Sequence, residues 1–238
     1  MSISFRLSSL LLLPALAFVP LSRADVLANY TFSNGNTLTS TDAHSQTTAG
    51  TFGAGPLGTN WAYSSAQNNY FARGNTTADS ATAALAGSYF TFTLSLNALG
   101  TGNGLNLETL TFDTLSNNAA GATAGSEVTF FVRSSLDNFA TNIGDSFNQS
   151  FNDGTAANPV ARSVNLSAYQ GVTATSIEFR IYVFDNTTEV NRTPRIDNVV
   201  LNGAVVPLSA IPEPSTAAAL VAGFSLLAAT ALRRRKAK

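Results

Sequence analysis

An all-β fold, a single two-sheet sandwich of jelly-roll type, is what this sequence predicts, with a cleaved leader before it and one membrane helix after it. Three observations carry the prediction. Residues 25–207 contain repeated runs in which apolar and polar side chains alternate with a period of two. Gly, Asn, Asp and Ser cluster between those runs. No amphipathic helical stretch exceeds about one or two turns, and no repeat of fixed period is present.

Taken in chain order, the leader comes first. Arg6 supplies a positive charge, residues 7–19 (LSSLLLLPALAFV) form an apolar run, and Ser22 and Ala24 put small residues at −3 and −1 before Asp25. That order is the pattern of a secretory signal peptide spanning residues 1–24 and cut after Ala24. As a helix the run is roughly 20 Å long, short of the roughly 30 Å of a bilayer core.

The body, residues 25–207, reads as strands at 26–32, 70–73, 89–97, 107–112, 127–133, 162–166, 177–184 and 195–201. The clearest is 89–97, where Phe90, Phe92, Leu94 and Leu96 share one face and Tyr89, Thr91, Thr93 and Ser95 the other. Ile177, Phe179, Ile181 and Val183 do the same, as do Val128, Phe130 and Val132. Turn clusters stand at Asn34-Gly35, 100–104, 121–125 and Asn152-Asp153-Gly154, and residues 39–58 read as a long, polar, Gly-rich surface loop. Short strands with turn-rich connections imply two packed sheets.

Charge and composition remove several functions. The body carries six arginines and no lysine against thirteen acids, which leaves it at −7. Such a surface is a poor match for a phosphate backbone, so nucleic acid is not an expected partner. The absence of Cys excludes disulfides, thiolate metal sites and Cys nucleophiles, and a single His excludes a multi-His metal centre.

The C-terminal segment is a second address. Residues 208–214 form a linker ending in Pro212, Glu213 and Pro214, which is held extended because each proline removes an N–H and restricts its predecessor. Residues 215–232 (STAAALVAGFSLLAATAL) carry no charge and reach roughly 27 Å as a helix. Arg233, Arg234, Arg235 and Lys236 follow within the basic tail 233–238, and such clusters stay cytoplasmic. Pro-Glu-Pro, apolar span and terminal Arg cluster, in that order, resemble the sorting signal of the PEP-CTERM family of bacterial exported proteins, with Ile211 where Val is commoner. The resemblance implies processing by an exosortase-type enzyme. It also implies export through signal peptidase and the export machinery, passage through the inner membrane as an anchored precursor, and a destination at the cell surface or in an exopolysaccharide biofilm. Pro212, Glu213 and Pro214 would be read by the enzyme and take no part in catalysis.

A second resemblance lies within the body. Residues 30–36 (YTFSNGN) and 195–201 (RIDNVVL) are similar to carbohydrate-binding jelly rolls, in which first and last strands lie side by side and an Asp of the closing strand supports a structural calcium. That resemblance carries only Asp197 over. No other cofactor is expected. Other oxygen donors stand at Asn34, Asn36, Asp185 and Asn198, without the regular spacing of a calcium loop that gathers about six to eight oxygens.

No catalytic residue is expected. His44 has Asp42 and Ser45 nearby but lies in a polar loop, and the chain has no Gly-x-Ser-x-Gly. Glu108, Glu127, Glu178 and Glu189 are the acids that glycoside chemistry could draw on. Glu127 and Glu178 point outward in their strands, where Arg133 and Arg180 could pair with them across strands. Trp61 and Tyr63, with Tyr70 beyond, are the candidate sugar-stacking platform, against a plain core role for the only Trp. Phe131 and Phe184 point outward, toward a second layer or a binding face. Two functions fit: a non-catalytic structural or glycan-binding component of an extracellular matrix, or a secreted polysaccharide hydrolase or lyase on the same scaffold. The first is the expected one.

Overall fold

The computed structural model describes residues 24–32, 38–42, 44–56, 61–64, 69–72, 80–118, 127–150, 159–185 and 192–208. The leader, the sorting-type tail from Ser209 onward and the turn clusters at 34–35, 121–125 and 152–154 lie outside them. Among the described residues no helix is long and apolar enough to cross a membrane.

Along the chain run β1 (Asp25–Tyr30), β2 (Thr48–Ala49), β3 (Gly53–Ala54), β4 (Trp61–Ser64), β5 (Asn69–Ala72) and β6 (Tyr89–Ser95). β7 (Asn103–Asn118), β8 (Glu127–Ser134), β9 (Phe147–Ser150), β10 (Val160–Asn165), β11 (Ser176–Asp185) and β12 (Arg192–Pro207) complete them. A four-residue helix, α1 (Ala81–Ala84), is started by Ser80, whose hydroxyl accepts from the Ala83 N–H. The strands form two antiparallel sheets. In the first, β10, β7 and β12 lie in order, and β12 gives its other edge to β1 and to the β5–β4 hairpin. In the second the order is β9, β8, β11, β6, with β2 and β3 on the outer edge of β6.

With the short strands β2 to β5 set aside, the sheet orders are β1-β12-β7-β10 and β6-β11-β8-β9. This is the crossing pattern of a jelly roll, and the first and last strands are neighbours as expected.

The core lies between the sheets. Phe90, Phe92 and Leu94 of β6, Ile177 through Val183 of β11 on alternate positions, and Val128, Phe130 and Val132 of β8 face Leu105, Leu107, Leu110 and Phe112 of β7. Ile196, Val199 and Leu201 of β12 complete that side. Each such side chain contributes about 1.5–3 kcal/mol by leaving water. The long strands keep their apolar face inward only by slipping register. β7 shifts between Leu107 and Thr109 against Asn202 and Gly203, and β12 shifts between Asp197 and Val200. At Gly203 the backbones approach so closely that a Cβ would stand 2.5 Å from the Asn106 carbonyl oxygen and 2.8 Å from Leu27.

The segment 39–58 departs from expectation. It carries β2 and β3, Thr47 is buried, and Phe52 is inserted in the core against Tyr30 and Phe32, with ring centroids 5.2 and 5.0 Å away. The Tyr30 hydroxyl donates to the Gly50 carbonyl at 2.7 Å, and burial raises its pKa. One aromatic ring outweighs a polar composition here, because its burial ties the whole segment to the sheet edge.

A polar clamp closes the edge between the sheets. Arg162 of β10 donates through Nε to Thr114 Oγ1 at 3.0 Å and through Nη2 to Gln149 Oε1 at 3.1 Å and the Asn148 carbonyl at 2.9 Å, so the first sheet holds β9 of the second. Thr114 and Gln149 are buried and 2.9 Å apart. Arg162→Ala would remove three charge-assisted hydrogen bonds, leaving Thr114 and Gln149 to each other and the Val160 carbonyl, and lower unfolding stability by about 2 kcal/mol in urea titration. Arg162→Lys, which keeps the charge and loses the forked donor, should recover only part of that loss.

Candidate functional site

The outer face of the first sheet is an open polar surface. Cross-strand partners line up in rows: Asn165, Thr109 and Asn202; Ser163, Thr111 and Val200; Ala161, Asp113 and Asp197. All are exposed or partly exposed. Asn202 Nδ2 donates to Thr109 Oγ1 at 3.1 Å. Pleat parity explains the composition, since alternate residues of β7 and β12 fill the core and those between them meet water.

At one end of this surface Asp113 and Asp197 stand directly opposite each other. Asn198 lies between them in a left-handed conformation, φ 49°, at the β12 bulge. Its backbone N–H donates to Asp197 Oδ1 and its amide to Asp113 Oδ2, each at 2.8 Å. Burial is the main cause that raises the Asp197 pKa to about 6; the Asn198 N–H opposes it and the Asp113 charge adds to it.

Asp197 was expected to hold a calcium. Beside it stand Asp113 and the side-chain amide of Asn198, and among the described residues no group of three His, Cys, Asp or Glu side chains gathers. Asp185 does not join them: it is buried at the inner end of β11, on the other sheet. Asn34 and Asn36 lie outside the described residues.

His44 is held by its own loop. Nδ1 accepts from the Gln46 N–H at 3.3 Å and lies 3.1 Å from Thr47 Oγ1, while Nε2 is 4.0 Å from Asp25. Asp42 accepts from the backbone N–H of His44, so it does not orient the ring, and Ser45 is exposed. These partners of the imidazole come from its own loop and from the start of β1.

The outer face of the second sheet is mostly covered. Phe131 and Tyr182 stack at 4.9 Å, Tyr89 meets Tyr182 at 5.1 Å, and Ala83 and Ala84 of α1 close over them, with Phe184 at the margin. Phe131 and Phe184 thus take the second-layer role. The expected cross-strand Glu–Arg pairs are replaced by another arrangement. Arg133 stands opposite Arg180, so like charges face each other. Arg180 turns along its own strand to Glu178 at 2.7 Å and lies between the rings of Tyr89 and Phe139, 4.5 and 3.7 Å from their centroids. Arg133 donates to the carbonyls of Phe139 and Ala140 and to Asn142. The exposed ion pair contributes at most about 1 kcal/mol, and the stacking on two rings is of similar size.

Trp61 and Tyr63 lie on β4, at the free edge of the first sheet, with Tyr63 in register with Tyr70. Their side chains lie outside the described residues. The Asp113–Asp197 pair was missed by sequence reading, because two acids 84 positions apart meet only through strand register.

No protein-family model and no curated protein sequence matches the chain. Among solved structures, the CBM22-1 xylan-binding domain of Xyn10C from Paenibacillus barcinonensis is similar with a TM-score of 0.37 and 13% identity, over 77% of this chain and 97% of that one. A carbohydrate-binding module specific for non-crystalline cellulose, CBM28, gives 0.37 and 12%, over 56% and 74%. The arabinose-bound α-L-arabinofuranosidase MgGH51 gives 0.33 and 10%, over 75% of this chain and 27% of that one. At these scores the likeness extends to neither ligand nor chemistry; the sheets and their strand order define the chain as an antiparallel β-sandwich protein.

The raised Asp197 pKa has a measurable consequence. An unfolded Asp titrates near 3.8 and the folded group near 6, so folding favours the protonated form. This contribution to stability is complete below about pH 4 and is lost as pH rises through about 6. Discounted for its half-exposed position, the loss is about 1 kcal/mol. In urea titrations with chelator present, Asp197→Asn should match the parent near pH 4 and exceed it by that amount at pH 7.

Proposed function

We propose that this is an exported, C-terminally sorted protein of the cell surface or extracellular matrix, with a non-catalytic structural or glycan-binding body. The tail carries the reading. β12 ends at Pro207, and Pro212-Glu213-Pro214, the uncharged span 215–232 and Arg233 to Lys236 follow in the order a sorting enzyme would need. A signal peptide ending at Ala24 and an exosortase-type partner belong to the same reading. The polar face of the first sheet supports it, since hydroxyls, amides and carboxylates on a rigid open surface suit the hydroxyl groups of a sugar chain.

Replacing Glu213 with Ala, or deleting residues 233–236, should leave full-length precursor in the membrane fraction on immunoblots of the native host. Processing equal to the parent overturns the sorting reading.

One observation favours a second reading, a polysaccharide hydrolase or lyase: Asp113 and Asp197 are paired carboxylates, and one is held near pH 6. The proposed protein releases no reducing ends from any polysaccharide offered to it. Turnover that disappears in Asp197→Asn would replace the binding reading with the enzymatic one.

A further inference from the structure

The turn between β6 and β7, the segment leading into β11 and the end of β12 meet around a groove of about 460 Å³ at one end of the sandwich. That size falls within the range of about 300–1,000 Å³ usual for small-ligand sites. Leu96 and Leu99, both buried, and the exposed Leu208 contribute its apolar lining. Its polar lining comes from the hydroxyls of Thr101, Thr173 and Thr175 and the amides of Asn97 and Asn103. Among the described residues none that lines it is charged, although the body as a whole stands at −7.

The groove is built before any ligand arrives. The Leu96 N–H donates to the Thr175 carbonyl at 2.8 Å, which ties its two walls together. Gly100 and Gly102 take left-handed φ values of 75° and 80°, and Asn103 Nδ2 donates to the Leu99 carbonyl at 2.7 Å, which fixes the turn between them. The Leu208 N–H donates to the Gly102 carbonyl at 2.8 Å, and a Cβ at Gly104 would lie 2.7 Å from the Leu208 side chain. A site held in this way loses little entropy on binding.

We propose that this groove binds a short run of uncharged pyranose rings from a neutral polysaccharide. The inference rests on the glycan-binding reading above and adds a location and a ligand charge. A neutral sugar ring presents hydroxyls at its rim and C–H groups on its faces, which match the amides and hydroxyls of the walls and the exposed side chain of Leu208. A uronate or sulfated sugar would give up water without meeting a cation, against the field of an acidic body.

The test is calorimetric titration of the full chain in detergent with maltohexaose and cellohexaose as neutral probes and hexagalacturonate as the anionic one. At least one neutral probe should bind, and the anionic probe should bind at least roughly tenfold more weakly. Thr101→Leu and Thr175→Leu each remove a hydroxyl and fill space at exposed positions on opposite walls. Each should weaken neutral-sugar binding roughly tenfold, with thermal melting unchanged, while Thr129→Ala on the outer face of the second sheet should bind as the parent does. Parent-like binding by both groove variants overturns the location and leaves the glycan reading standing. Equal or tighter binding of hexagalacturonate overturns the ligand class. Failure of the parent to bind any probe overturns the glycan reading itself.

Discussion

The sandwich depends on β12 being paired along both edges. It takes β7 on one side and β1 and β5 on the other, so every strand of the first sheet except β10 and β4 hydrogen-bonds to it directly. Sequence distance makes this costly, because β1 and β12 stand at opposite ends of the body and their pairing closes the longest loop in the fold. The sheet is therefore completed only when the last strand is available. Gly203 marks how tightly that closure is made, where β12 passes between Leu27 of β1 and the β7 backbone with no room for a side chain.

The same closure decides where the ends of the body emerge. Asp25 pairs with Gly203, and β12 runs on past that point to Pro207 along the start of β7. The first residue of β1, the turn between β6 and β7 and the exit at Leu208 consequently gather at one end of the sandwich. The opposite end is where β7 runs out at Asn118 and β12 begins at Arg192.

How much was legible in the sequence follows from where period-two alternation holds. β6, β8 and β11 keep strict parity, and their inward residues are those the alternation picks out. β7 and β12 extend well beyond the expected 107–112 and 195–201. Their apolar phase reverses at a bulge, from Leu107 to Leu110 and from Ile196 to Val199, so simple alternation loses them. β9 is four residues long and carries one apolar side chain, Phe147, so alternation does not mark it; it is placed by its ladder with β8 and by the Arg162 clamp from the other sheet. Phe52 was hidden in a polar stretch whose burial depends on Tyr30 and Phe92 standing behind it. The carboxylate pair is the extreme case. Asp113 and Asp197 look like two ordinary surface acids until register places them side by side.

The two outer faces differ for a reason that bears on function. On the second sheet, aromatic residues at outward positions would leave apolar surface in water, and α1 covers it with two alanines while arginines stack at the margin. That face is spent on stability. On the first sheet the outward positions of β7, β10 and β12 are mostly Thr, Ser, Asn and Asp, with Ala161 and Val200 set among them, and the polar groups need no cover because water satisfies them. Leaving such a face open costs nothing in folding, and it keeps a broad array of donors and acceptors on rigid strands. The unfavourable local energy lies at Asp197, where burial works against the charge. A fold under selection for stability alone would place Asn there, since an amide meets the Asn198 N–H equally well and carries no charge to desolvate. Asp197 is thus the position on this face where burial and the charge of the side chain oppose each other.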